Sequence, residues 1–429
     1  MNYQEAIEYL YSKAPMFTHV GKSAYKANLD NSIKLDQYFK QPHTYYKTIH
    51  IAGTNGKGSV SHSLAAILHE AGYKIGLYTS PHLKDFRERI KINGIQISED
   101  EVIDFIQKHK NIIESVQPSF FEITTFLAFE YFKQQHVDIA IIETGLGGRL
   151  DTTNLIQPIL SIITNIGWDH ADLLGNSLES IANEKAGIIK KNAPLIIGEH
   201  QVEIDEIFID KADQVDSPFY FADDEYAVKN AFITQNYLLQ VEVYKKGFPY
   251  LPGLKFQLIG KYQIQNIPII LKATDILKEQ GFTISDQNIF RAFKSVVDLT
   301  GLHGRWHILK SKPLTICDIG HNYPGLKWNI EQLKEAKKNK LFFVLGFVKD
   351  KDISKILGLF PVDAYYIFTK ANIPRALDAH ELHSIASTFG LKGEVVENVK
   401  EAYHKALSLA SEQDVVYIGG STFVVAEVV

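Results

Sequence analysis

The sequence predicts an α/β fold built on a mainly parallel sheet. Three observations predict it: short apolar runs recur along the 429 residues, helical patterns alternate with several of them, and one glycine-rich turn joins such a run to a helix. The runs are Ile49-His50-Ile51, Lys74–Thr79, Val137–Thr144, Ile159–Ile166, Pro194–Gly198, Leu314–Ile319, Leu341–Gly346, Tyr365–Thr369 and Val415–Ile418. Strands covered on both faces read as short, largely apolar runs of this kind. After Ser59, the residues Val60, Leu64, Ile67, Leu68 and Ala71 share one helical face, and Gly72 suits its C-terminal stop.

Between the second and third runs, Arg89–Ile97 reads as a hairpin turning at Asn93-Gly94, a pair that tolerates the positive φ angles of a type I′ turn. Ser98 and Glu101 form a capping-box pattern that opens the next helix. Residues 200–258 lack a strong helical period and read as a strand-rich excursion. Leu299-Thr300-Gly301-Leu302-His303-Gly304 has the composition of a linker, which divides the chain into domains 1–298 and 299–429.

A hydrophobic share of 45% and a charged share of 22% describe a globular chain and exclude disorder. The net charge of −5 argues against nucleic acid or a membrane surface as partner. The one cysteine, Cys317, excludes an internal disulfide, and the first residues lack the apolar run of a signal peptide. A cytoplasmic monomer working on small molecules is the expectation.

Ile49-His50-Ile51-Ala52 runs into Gly53, Thr54, Asn55, Gly56, Lys57, Gly58 and Ser59 and then into the helix. Glycines in this setting let backbone N–H groups approach phosphate oxygens, the helix N-terminus favours negative charge, Lys57 reaches the β and γ phosphates, and Ser59 suits a metal. Ile51 stands where the usual phosphate-loop pattern has its first glycine. The alternative of a bare tight turn loses to the combination of strand, loop, lysine and helix.

This loop resembles the signature of folylpolyglutamate and dihydrofolate synthases, a branch of the Mur-type ligases. So does Ile141-Ile142-Glu143-Thr144-Gly145-Leu146-Gly147-Gly148-Arg149-Leu150-Asp151-Thr152-Thr153-Asn154. Further matches are Ser80-Pro81-His82-Leu83, Glu88-Arg89-Ile90, Asp169-His170, Glu184–Ile188, Gly260–Gln263 with Asn266, and Lys349-Asp350-Lys351-Asp352. The resemblance implies an N-terminal P-loop-type ATPase domain and a smaller Rossmann-like C-terminal domain. The implied activity is ATP-dependent addition of L-glutamate to dihydropteroate, to reduced folate or to both, through an acyl phosphate.

It also implies roles for residues. Ser80 and Glu143 hold a first magnesium, and a carboxylate at a buried strand end calls for a cation or donors in any case. His170, unremarkable alone, holds a second magnesium with Lys185, which would otherwise read as a solvated helix charge and is carbamylated in Mur-type ligases. Phe120 and Phe121 alone read as core. Resemblance to the dihydropteroate-binding segment instead turns Glu122 and one phenylalanine toward the ligand, with Leu150 in the same pocket. Asn266, Arg305 and Asp318 match nucleotide-contacting positions, and His321 and Asn322 are candidates on the glutamate side. Two departures stand out: Pro324 is displaced in Asp318–Pro324, and His307 replaces a common acid. The competing readings are a monofunctional folylpolyglutamate synthase, a cell-wall Mur ligase, a P-loop kinase and a nucleotide switch.

Overall fold

The computed structural model describes residues 1–13, 28–336, 339–349 and 353–429, so Asp350, Lys351 and Asp352 lie outside the described residues. The chain forms two compact units: residues 1–257 with 263–302, and residues 258–262 with 303–429.

In the first unit, eight strands form one sheet: β1 Lys47–Ala52, β2 Ile75–Tyr78, β3 Ile90–Ile92, β4 Ile95–Gln96, β5 Ile139–Glu143, β6 Leu160–Ile163, β7 Leu195–Ile197 and β8 Phe219–Phe221. Their order is β4-β3-β2-β5-β1-β6-β7-β8, parallel except for the hairpin β3–β4 at one edge. The hairpin turns as expected, with Asn93 at φ 49° and Gly94 at φ 80°. On one face, helices Tyr3–Lys13, Asp30–Phe39, Glu99–Val116 and Phe120–Gln134 share an apolar cluster with Tyr78, Ala140 and Ile142. Helix Lys57–Glu70 instead packs with helices Gln263–Glu279 and Asp286–Thr300. The strand-rich excursion holds the helix Asp205–Gln214, β8 and an antiparallel sheet of β9 Tyr226–Ile233, β10 Leu239–Lys245 and β11 Phe248–Phe256.

Leu299 and Thr300 are the last residues of helix Asp286–Thr300, whose end is closed by left-handed Gly301 at φ 65°. The expected linker is therefore partly helix, because Gly301 works as a C-terminal cap, and the compact units divide after Leu302.

The second unit carries six strands in the order β12-β13-β17-β14-β15-β16: β12 His307–Ser311, β13 Leu314–Cys317, β14 Leu341–Leu345, β15 Tyr365–Phe368, β16 Gly393–Val395 and β17 Val415–Gly419. All pairings are parallel except β12 with β13. Among the described residues, no helix is long and apolar enough to cross a membrane.

Candidate active site

The parallel neighbours β2, β5, β1 and β6 end on the same edge of the sheet, where an open α/β sheet presents its ligand crevice. Ser80 follows β2, Glu143 ends β5, the phosphate loop follows β1, and the segment leading to His170 follows β6. Register sets Ile51 opposite Glu143, and the Thr144 N–H donates to Ile51 O at 2.9 Å.

The phosphate loop is propped from the β6 side. Thr54 N donates to Asn165 O at 2.9 Å, and Asn55 N donates to Asn165 Oδ1 at 2.9 Å. Gly56 takes φ 87°, and a Cβ there would stand 2.3 Å from Asn266 Oδ1, so glycine serves both the turn and the approach of Asn266. Ser59 is buried, and its hydroxyl accepts from Gln263 Nε2 at 3.0 Å.

Two lysines meet at this loop. Lys57 Nζ donates to Gly53 O at 2.9 Å and Thr54 O at 3.2 Å, and Lys185 Nζ donates to the same Gly53 O at 2.9 Å. Lys185 is 4% exposed. Burial, and then the neighbouring charge of Lys57, pull its ammonium down to about 7, while Asp169 and Asp151 oppose the shift. The helix Leu178–Ala186 that carries it is docked by the glycine-rich loop, where Arg149 N donates to Glu184 O at 2.7 Å and Arg149 Nη2 to Glu184 Oε1 at 2.6 Å.

Glu143 is 3% exposed, and its charge reaches the fully buried guanidinium of Arg89. His170 holds a left-handed backbone at φ 51°, and its Nε2 lies 3.9 Å from Asp169 Oδ2. A hydroxyl and a buried carboxylate are hard oxygen donors of the kind magnesium takes, and Lys185, an amine able to lose its proton, would add another only as a carbamate.

The pteroate candidates separate. Phe120 points into the core, 5.8 Å from the Phe86 ring and beneath the Arg89 guanidinium at 5.2 Å. Phe121 is the half-buried one, lying over Gly145 so closely that a Cβ there would stand 2.5 Å from its ring. Glu122 caps its own helix. Its carboxylate closes a capping box, accepting from Ser119 N at 2.6 Å, and accepts from Ser32 Oγ at 3.1 Å. Leu150 is half-buried beside the glycine-rich loop.

In the second unit, Asp318 spends its carboxylate internally. Oδ2 accepts from Tyr262 Oη at 2.8 Å and Trp306 N at 2.7 Å, and Oδ1 from Gly320 N at 2.7 Å and Asn329 Nδ2 at 2.8 Å. These bonds organise its own unit around the turn that carries Asp318. Arg305 is half-buried, its Nη1 3.5 Å from Gly304 O. Asn322 accepts from Gly325 N at 3.0 Å at the start of helix Tyr323–Ala336, and His321 Nδ1 lies 3.1 Å from Ile319 O. Sequence reasoning gave no role to two residues here: Arg89, a buried cation beside Glu143, and Asp151, which holds the glycine-rich loop by its backbone.

A phosphate loop at the strand edge, with a carboxylate end and a buried lysine against the loop, defines a P-loop ligase, and family comparison gives its class. Residues 51–273 match the Mur ligase middle domain, and residues 304–422 match the Mur ligase glutamate ligase domain. The dihydrofolate synthase/folylpolyglutamate synthase of Bacillus subtilis is 31% identical, covering 99% of this chain and 98% of that protein. Folylpolyglutamate synthase of Mycobacterium tuberculosis, solved with ADP, superposes with a TM-score of 0.88 at 27% identity over 99% of this chain and 97% of that one. Escherichia coli FolC, solved with DHPP and ADP, gives 0.84 at 27% identity over 100% and 97%. The chain belongs to the dihydrofolate synthase/folylpolyglutamate synthase family of Mur-type ligases, ATP-dependent enzymes that form an amide bond to glutamate.

Proposed function

We propose that the protein adds L-glutamate to dihydropteroate and to reduced folate, in the cytoplasm, as a monomer, without nucleic acid or membrane as partner. The observation that carries the reading is the convergence of Lys57 and Lys185 on Gly53 O, one at the phosphate loop and the other buried with its proton loosely held. Lys57 leaves the loop carbonyls to meet the triphosphate and screens charge as the γ-phosphoryl passes to the acceptor carboxyl. Gly53–Ser59 supplies backbone N–H donors, and Asn266 steadies the turn at Gly56. Magnesium, when bound, neutralises phosphate charge, and Ser80, Glu143, His170 and carbamylated Lys185 are the residues that would hold it in two sites. Phe121 and Leu150 offer apolar surface to the pteridine. The resulting acyl phosphate is opened by the glutamate amine, releasing phosphate.

Phosphate release measured with each substrate omitted in turn tests the reading. Release that needs both a pteroyl acceptor and glutamate supports it, whereas release indifferent to both points to a nucleotide switch.

A further inference from the structure

The buried histidine of β1 has no part in the chemistry above, yet it is the first member of a hydrogen-bond chain that ends at the active-site loop. His50 is 0% exposed, and its Nε2 lies 2.9 Å from Thr153 Oγ1. The Thr153 hydroxyl donates to Asp151 Oδ1, to which the Thr153 N–H also donates at 3.0 Å. Asp151 Oδ2 accepts from Gly145 N and Leu146 N, each at 2.9 Å.

The direction of the chain follows from proton counting. A carboxylate only accepts, so the one hydroxyl proton of Thr153 is spent on Asp151, and its oxygen must accept from His50. The imidazole therefore carries its proton on Nε2. Its Nδ1 is buried and meets no partner among the described residues, and a lone pair so placed gives the ring no alternative bond. Burial holds His50 down at about 3, so it stays a neutral donor at every working pH.

We infer that His50 is a positioning residue of the ligase site: through Thr153 and Asp151 it ties the strand that launches the phosphate loop to the Gly145-Leu146 turn that follows Glu143. Register already sets β1 beside β5, with His50 opposite Ile142. Strand pairing ends with Ile51 opposite Glu143 and the bond from Thr144 N to Ile51 O, and beyond these the chain from His50 to Asp151 holds the loop that ends in Leu150. The inference rests on the proposed reaction only for its kinetic consequence, since the strut itself is a property of the free protein.

The test compares Thr153→Val, which keeps shape and removes the hydroxyl, with Thr153→Ser, which restores it, and with His50→Gln. The first readout is amide hydrogen exchange in peptides spanning Gly145 and Leu146. Thr153→Val and His50→Gln should exchange there roughly tenfold faster or more, with β1 and β5 unchanged, and Thr153→Ser should match the wild type. The second readout is kinetic: kcat should fall roughly tenfold and KM for the pteroyl acceptor should rise, while binding of a non-hydrolysable ATP analogue stays constant. Unchanged exchange at Gly145 and Leu146 overturns the inference, as does faster exchange spread evenly over β1 and β5. A wild type that ligates nothing would sink the proposed reaction while the exchange readout still judges the strut.

Discussion

Removing dissolved carbon dioxide should disable this enzyme under the proposed role of Lys185 as a carbamate. Burial and the charge of Lys57 bring its ammonium from 10.5 down to about 7. At pH 7 about half of such side chains are neutral amine, against fewer than ~1 in 10³ for an ordinary lysine. The amine attacks carbon dioxide and releases a proton, so the cation becomes an anion at the phosphate loop. The neutral share rises from about a tenth at pH 6 to about nine tenths at pH 8, so at fixed dissolved carbon dioxide carbamate should rise by at least about tenfold. The assay is substrate-dependent phosphate release in depleted buffer, before and after bicarbonate, with ¹³C-bicarbonate and carbon NMR to detect the carbamate directly. Activity should fall on depletion and recover on addition, needing more bicarbonate at the lower pH. Lys185→Ala should be inactive and partly rescued by acetate. Turnover indifferent to carbon dioxide, or a fully active Lys185→Ala, would refute the reasoning while leaving the phosphate loop in place.

Lys57→Ala should cut ligation by about 10³-fold or more with an unchanged circular dichroism spectrum, since the side chain is half-buried and bonds to its own loop. Glu143→Gln keeps shape but not charge. Activity should fall by about 10² or more and be only partly restored by raised magnesium, as read from magnesium titrations of rate. Lys185→Met should stabilise the carbon dioxide-depleted protein at pH 7, by up to on the order of 4 kcal/mol in denaturant unfolding. The sign follows from the lowered folded-state value. The unfolded chain holds the extra proton between about pH 7 and 10.5, so wild-type stability climbs across that window, and the Met variant should lose the climb.

The parallel core was legible because each run of buried apolar residues had only one place to go. β2, β5, β6, β7, β13, β14 and β15 fall within the anticipated runs, while β1 and β17 contain theirs and extend beyond them. β8 lies in the stretch read as strand-rich, whereas β12 and β16 were hidden, being edge strands with half-exposed residues that leave no apolar run. The phosphate loop was legible because glycine, lysine and helix onset lie adjacent in sequence. The capping role of Glu122 was legible too, since Ser119-Phe120-Phe121-Glu122 is a capping-box pattern like the one at Ser98. At Ser98 the structure keeps only half of that pattern, with Glu101 N donating to Ser98 Oγ at 3.2 Å. Asp318 and the strut from His50 to Asp151 were beyond sequence reasoning, since their partners are fixed by tertiary approach across 56 and 103 positions.

The account turns on which bond the enzyme makes. Purified protein incubated with ATP, magnesium, glutamate and either dihydropteroate or tetrahydrofolate, with products identified by mass, tests this most directly. The account predicts one added glutamyl residue on dihydropteroate and at least one on tetrahydrofolate, each matched by one ADP and one phosphate. Addition to tetrahydrofolate alone would narrow the enzyme to polyglutamylation, and consumption of ATP with neither acceptor gaining mass would contradict the account.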